Sequence, residues 1–565
     1  MPAMTIAGLR RAYASGGLTP LAVIDDIFAR IDELGERPIW ISLADREEVR
    51  RRAATVDMSL PLAGIPFAVK DNIDVVGLPT TAACPSFAYQ PERSSTVVQR
   101  LVDAGAIVIG KTNLDQFATG LVGVRSPYGA CRNAFDEQYI SGGSSSGSAI
   151  AMAKGLCAFA LGTDTAGSGR VPAAFAGLVG LKPTRGLLST AGVVPACRSL
   201  DCVSIFARDA ADAASVWAVA RGSDPEDAYS RVVPTGADAA PWVTGAFRFG
   251  VPDSELLEFF GDTVAARLFE QAVSRLEAMG GIRTRIDFQP FRDAAQLLYA
   301  GPWVAERYAA VGAFLEGSPA GADPVVAGVI GSGAAYTAVD GFRAAERLEG
   351  LKKAAAREWA RMDVLLLPTA GTIYTLAEVA ADPIRLNTNL GYYTNFVNLL
   401  DLAAVAVPAG TWPNGVPFGV SLIGPAFSDA GLLGLAARAA GDPAGVPSKA
   451  PGCVNVAVVG AHLSGQPLNH QLVERGARLV RACRTTPVYR LYALPESVPP
   501  KPGLVRTPTQ VGEGIAVEVW SVPEDRFGGF VAAIPPPLGI GRIELDTGEW
   551  VSGFICEPIA LAGAE

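Results

Sequence analysis

The chain has 565 residues, of which 49% are hydrophobic and 18% charged, so it is not disordered and has material for a large core. Its 47 Lys+Arg against 56 Asp+Glu leave a net charge of −9, which argues against nucleic acid or an anionic membrane as the main partner. Gly 62 and Pro 41 without a Gly-X-Y period indicate many turns, not a collagen-like rod.

At roughly 150 residues per domain, two to four domains are expected. The N-terminal MPAMTIAGLRRAYASGG lacks the apolar run of a signal peptide. The longest apolar runs, such as 399–408, fall far below the ~20 residues that span a bilayer. A cytoplasmic protein is expected. Residues 1–60 read as helical, with Arg- and Glu-rich polar faces. From about 64 to 203, short apolar runs alternate with Gly-rich turns and helical patterns. That alternation predicts an α/β fold with a mixed β-sheet core covered by helices. Residues 219–241 read as a long surface loop, and 254–279 and 339–362 carry helical periodicity. Buried strands return at 363–368 and 403–408. The stretch GDPAGVPSKAPG, 441–452, reads as a linker. Short strand-like runs after it predict a smaller, β-rich α+β domain over 453–565, so that the first domain covers 1–440.

Eight cysteines, at 84, 131, 157, 197, 202, 453, 483 and 556, include no CxxC pair. They read as reduced thiols, with no zinc or redox centre and no cofactor. The segment 105–112, GAIVIGKT, matches G-x-x-x-x-G-K-T, but its four intervening residues are Ala-Ile-Val-Ile. An apolar run of that kind forms a strand, and a strand cannot wrap a phosphate, so Lys111 reads as a structural lysine at a strand end.

The two histidines, His462 and His470, both lie near the C-terminus. Nucleophilic chemistry in the first 461 residues must therefore run without imidazole. A serine nucleophile there must give its proton to a lysine, a carboxylate or another hydroxyl. Two Gly/Ser-dense segments stand beside apolar runs: YISGGSSSGSA at 139–149 and LGTDTAGSGRVP at 161–172. The small residues of Thr165-Ala166-Gly167-Ser168 allow successive backbone N–H groups to converge as an oxyanion hole. Ser168, at the end of that turn, can face the carbon whose oxygen they hold. Ser144 can relay the proton, and Lys70, ending an apolar strand, can accept it once desolvated.

The set GIPFAVKDN, GGSSSGSA and GTDTAGSGRVPAAFAGLVGLKPTRG resembles the amidase signature family, over about 20–440. The resemblance implies a Ser–cis-Ser–Lys triad. Ser168 would be the acylated nucleophile, Ser144 the bridging serine with a cis peptide on its N-terminal side, and Lys70 the general base and acid. It also implies a structural ion pair between Asp164 and Arg170. Within 297–309, the pattern Y-x-G-P-W-x-A-E-R resembles a stretch of the allophanate hydrolases. There a Tyr and an Arg eight residues apart hold the substrate carboxylate, which implies those roles for Tyr299 and Arg307. The guanidinium fork suits a small ureido acid anion such as allophanate.

VAVVGAHLSGQPLNHQL and YRLYALPESVPPKPGLVR resemble the gamma-glutamylcyclotransferase-like fold, which allophanate hydrolases carry after the amidase domain. Gly528, in Asp525-Arg526-Phe527-Gly528-Gly529, stands where cyclotransferases carry their catalytic Glu, so that activity is not implied. His462 is the candidate residue for a C-terminal step on the amidase product, and His470 is incidental. The resemblance further implies a homodimer through the amidase domain. It is compatible with association with urea carboxylase or biuret-pathway enzymes, the pathway starting from urea or from cyanuric acid. Two alternatives stay open: a malonamidase-like or other small-acid amidase, and an A-type amidotransferase chain that needs partner subunits.

Overall fold

In this computed structural model, residues 4–234, 246–440, 453–494, 502–509 and 512–561 are described. The chain divides into two units, Met1–Val446 and Pro447–Glu565. The linker expected at 441–452 lies outside the described residues.

The first unit is organised by one mixed sheet of eleven strands. In chain order these are β1 (Trp40–Leu43), β2 (Pro66–Lys70), β3 (Ile107–Thr112), β4 (Phe159–Thr163), β5 (Val179–Lys182), β6 (Val203–Ala207), β7 (Phe247–Pro252), β8 (Gly281–Ile286), β9 (Val364–Pro368), β10 (Leu402–Thr411) and β11 (Pro417–Pro425). Their spatial order is β1-β3-β2-β4-β6-β5-β10-β11-β9-β7-β8. Strands β3, β2 and β4 run parallel, as do β9, β7 and β8, while the centre from β4 through β6, β5, β10 and β11 to β9 is antiparallel. Strands β2, β4, β5, β6 and β9 are buried along their whole length. Covered on both faces, they read as continuous apolar runs without alternation. Phe67 of β2 stacks on Phe159 of β4 with ring centroids 4.9 Å apart, locking the two strands that carry Lys70 and Thr163.

Three departures from the sequence reading have local causes. Among the described residues, 4–60 hold three helices, Ile6–Ala14, Pro20–Leu34 and Arg46–Thr55, but β1 interrupts them because Trp40 to Leu43 pair with β3. The 254–279 periodicity resolves into a short turn at Ser254–Leu256 and a helix Thr263–Ala278. Phe260 and Gly261 take φ of 52° and 85°, which breaks the run, and Asp262 then caps the helix by accepting the Ala265 N–H at 2.9 Å. Of the loop expected at 219–241, residues 219–220 belong to the helix Ala210–Ala220, 221–234 have no helix or strand, and 235–241 lie outside the described residues. The 339–362 pattern is the helix Ala338–Trp359, opened by a Thr337/Asp340 capping box. The segment 107–112 is strand β3, so GAIVIGKT forms no phosphate loop.

The second unit holds β12 (Cys453–Val458), β13 (Arg478–Arg484), β14 (Tyr489–Ala493), β15 (Pro502–Arg506), β16 (Ala516–Pro523), β17 (Leu538–Glu544) and β18 (Trp550–Cys556). Five of them form a sheet in the order β13-β16-β12-β18-β17, and β14 pairs with β15. The helix Glu524–Ala532 adds Phe530 to a core with Val456, Val458, Trp520, Val522 and Phe554. Gly528 lies within this helix. All eight cysteines are unpaired. Among the described residues no single helix is long and apolar enough to cross a membrane.

Candidate active site

Lys70 ends β2 with no solvent exposure. Its Nζ donates to Ser144 Oγ at 2.8 Å and to Thr163 Oγ1 at 2.7 Å. One strand away, the equally buried Lys111 is paired with Asp71 at 3.0 Å and also reaches Thr80 Oγ1 and Pro79 O. The two lysines thus differ in kind. Lys111 is neutralised by a carboxylate, whereas Lys70 meets only hydroxyls within hydrogen-bond reach among the described residues. Burial pushes the Lys70 pKa from 10.5 down to about 7, against the opposing fields of Asp115, Asp164 and Asp201. At that value the amine is neutral in half the molecules near pH 7 and can accept a proton.

Ser144 follows a cis peptide bond between Gly143 and Ser144. A Cβ on Gly143 would stand 2.1 Å from Asp115 Oδ2 and 2.6 Å from Gly123 N, so only glycine fits there. Asp115 holds this turn through both its backbone and its side chain. Its N–H donates to Ser144 O at 3.0 Å, and its carboxylate accepts the Gly123 and Arg125 N–H groups, each at 2.9 Å.

The turn that carries Ser168 leaves β4 at Asp164 and is built around that carboxylate. Arg170 pairs with it through Nε and Nη2, both at 2.9 Å, and both side chains are fully buried. The same carboxylate accepts the Gly167 N–H at 2.8 Å and the Gly169 N–H at 3.1 Å. Gly167 therefore departs from the expectation of an oxyanion donor: its N–H is already engaged inside the turn. Among the described residues the N–H groups of Thr165, Ala166 and Ser168 have no hydrogen-bond partner, and these are the donors the turn leaves available. Gly167 has φ of 134°, and a Cβ on it would lie 2.4 Å from Thr394 Oγ1. Thr165 is anchored through its hydroxyl, which donates to Asp201. Asp201 also accepts the Ala196 and Cys197 N–H groups.

Ser168 is 3% exposed. Its hydroxyl has no hydrogen-bond partner among the described residues, so the structure joins Lys70 to Ser144 but leaves the Ser144–Ser168 link open. Catalytic hydrogen bonds commonly tighten only when substrate binds.

Tyr299 closes the helix Gln289–Tyr299, and Arg307 sits in the first turns of the helix Val304–Glu316. The break between them turns the chain so that Arg307 Nη2 donates to Tyr299 OH at 3.1 Å. Arg307 is 1% exposed, and its Nη1 donates to Thr119 Oγ1 at 2.9 Å and to Ala118 O at 3.4 Å. Its Nε, also buried, has no hydrogen-bond partner among the described residues. Among the described residues no carboxylate lies within ion-pair distance. Burial opposes its charge, but the fields of Tyr299, Cys197, Asp201 and Glu306 outweigh that, so its pKa is raised and it stays a cation. Its charge also pushes the Lys70 pKa down, which places the two residues in one electrostatic neighbourhood.

In the second unit, His462 lies in the turn Gly460–His462 and is 9% exposed. Its ring is stacked on Phe554 at 4.9 Å and edge-on to Phe530 at 6.0 Å. Its Nε2 is 3.1 Å from Gln471 Oε1. His470 is exposed, with Nδ1 2.8 Å from Pro467 O.

Thr119, Asp115, Thr163 and Asp201 were not singled out from the sequence. Only Thr163 has a usable signal, its place at the end of an apolar strand directly before the Ser168 turn.

Residues 22–433 match the amidase family, and residues 454–565 match the allophanate hydrolase C-terminal domain. The chain is 45% identical over 550 residues to urea amidolyase of Saccharomyces cerevisiae, covering 92% of this chain. It spans only 30% of that relative's length. It is 34% identical over 472 residues to the A-type chain of glutamyl-tRNA(Gln) amidotransferase from Symbiobacterium thermophilum, covering 77% of this chain and 95% of that one. The structure of allophanate hydrolase from Kluyveromyces lactis matches with a TM-score of 0.78 at 43% identity, covering 99% of this chain and 96% of that one.

Proposed function

The chain belongs to the amidase family, and we propose that it is an amidohydrolase of linear amides whose substrate is allophanate, a small ureido acid anion. The observation that carries the substrate is Arg307, a buried cation whose hydrogen-bond partners are all uncharged. An unpaired buried charge is costly, and a substrate carboxylate is the group that relieves it. Arg307 and Tyr299 hold that carboxylate and present the terminal amide to Ser168.

Lys70, neutral, takes the Ser168 proton through Ser144 as Oγ attacks the amide carbon. The oxyanion rests on the N–H groups of Thr165, Ala166 and Ser168. The C–N bond breaks, the relayed proton goes to the leaving nitrogen, and ammonia departs. Water, deprotonated along the same relay, releases N-carboxycarbamate and restores Ser168. The second unit then assists decarboxylation of N-carboxycarbamate to ammonia and carbon dioxide, with His462 as the residue assigned to that step. Its likeness to the gamma-glutamylcyclotransferase fold belongs to this reading, as do the division at 441–452, a homodimer through the amidase unit and a cytoplasmic location. Since the chain spans 30% of the yeast urea amidolyase, a urea carboxylase is the proposed source of its substrate.

The test compares allophanate with malonamide. Wild type is expected to prefer allophanate, and Arg307→Ala is expected to raise the KM for allophanate above all. Faster turnover of malonamide than of allophanate by wild type overturns the substrate. An unchanged product distribution in His462→Ala removes that residue's role.

A further inference from the structure

A cation meant for substrate faces a design conflict. It must be held rigidly, yet a carboxylate that held it would also neutralise it. Around Arg307 the conflict is resolved with neutral acceptors: Thr119 Oγ1 at 2.9 Å, Tyr299 OH at 3.1 Å and Ala118 O at 3.4 Å. Tyr299 is already assigned to the substrate. Thr119 is not, and it is 1% exposed and 188 residues away in sequence.

Thr119 is itself held on every side. Its N–H donates to Gln116 O at 3.0 Å, its carbonyl accepts Arg125 Nη1 at 3.1 Å, and its hydroxyl donates to Phe117 O at 3.1 Å. With the hydroxyl proton committed to Phe117, a lone pair is left for the guanidinium. The two residues before it, Phe117 and Ala118, have φ of 48° and 52°, conformations that side-chain-bearing residues seldom adopt. This strained turn is held down by the Phe117 N–H on Ala82 O at 3.0 Å and by Gln116 Nε2 on Ala83 O at 2.8 Å. Strain maintained by surrounding bonds is a mark of a position whose geometry matters.

We infer that Thr119 is a positioning residue for substrate specificity: it orients the Arg307 guanidinium toward the substrate carboxylate while leaving its charge unspent. The inference rests on the carboxylate-binding reading of Arg307. It makes the site selective for an amide that bears its own carboxylate, because among the described residues none lies within ion-pair distance of Arg307.

The test is a double-mutant cycle on the full chain, read as kcat and KM for allophanate. Thr119→Val is expected to raise KM about 10–100-fold, the range for losing a hydrogen bond to a charged group, with kcat changed less. Thr119→Ser, which keeps the acceptor, is expected to restore KM to within about threefold of wild type. Thr119→Asp is expected to raise KM further than Thr119→Val, since an internal carboxylate then competes with the substrate. In the Arg307→Ala background, Thr119→Val is expected to add nothing, because the residue it acts through is gone. Additive effects of Thr119→Val and Arg307→Ala, or a Thr119→Val enzyme with wild-type KM, overturn the inference. An Arg307→Ala enzyme with wild-type KM overturns the carboxylate reading beneath it. If Thr119→Val does not fold, Thr119→Ala is read by the same criteria.

Discussion

Acidification through pH 7 is expected to switch the site off by protonating Lys70. Burial lowers its pKa from 10.5 to about 7, which corresponds to roughly 5 kcal/mol at about 1.4 kcal/mol per decade. A lysine at 10.5 would be neutral in only about one molecule in 3,000 at pH 7, whereas Lys70 is neutral in about half. kcat/KM should then fall about tenfold per pH step below 7 and level off above about pH 8. The assay is initial ammonia release from about pH 5.5 to about pH 9. The companion variant is Thr163→Val. Thr163 Oγ1 accepts from Lys70 Nζ at 2.7 Å, a bond that favours the ammonium. Losing it disfavours the charged form, so the acid limb should move to lower pH. A kcat/KM that does not change between about pH 5.5 and about pH 8, or a Thr163→Val limb displaced upward, refutes the neutral-lysine reasoning.

Stability should follow the same group. Between about pH 7 and 10.5 the unfolded chain holds a proton on this lysine that the folded chain lacks. The Lys70 burial penalty is therefore largest below pH 7 and fades as pH rises to 10.5. Lys70→Met should abolish activity yet raise Tm at pH 7, and a Tm well below wild type would contradict the penalty. Arg170→Met should cost about 3–5 kcal/mol in denaturant unfolding, because it strands the buried Asp164 carboxylate without its cation. A loss below about 1 kcal/mol would mean the pair does not hold the turn. Thr165→Val, which removes the anchor to Asp201, should lower kcat about 10–100-fold with little change in KM. An unchanged kcat would mean that the Asp201 anchor does not position the Thr165 N–H.

The sequence narrows the candidate site chiefly by what it lacks. With no histidine before His462, a serine nucleophile needed another base, and Lys70 ends a wholly apolar strand. The same physics rejected the phosphate loop at 105–112, since Ala-Ile-Val-Ile builds β3. The donor role of Gly167 was misread because the partner of a backbone N–H depends on where a side chain folds back. Asp164 returns onto its own turn, and no spacing announces that. Thr119 carries no motif and Thr163 only its place before the Ser168 turn, and each acts through a contact made across the fold. Strand β1 was hidden because four residues beside helices gain their strand character only from pairing with β3.

The most direct measurement is ammonia released per allophanate by the full chain, with Ser168→Ala beside it. About two ammonia per allophanate from wild type and none from Ser168→Ala is the predicted result. Ammonia from Ser168→Ala at the wild-type rate, or none from wild type on allophanate, would contradict the account.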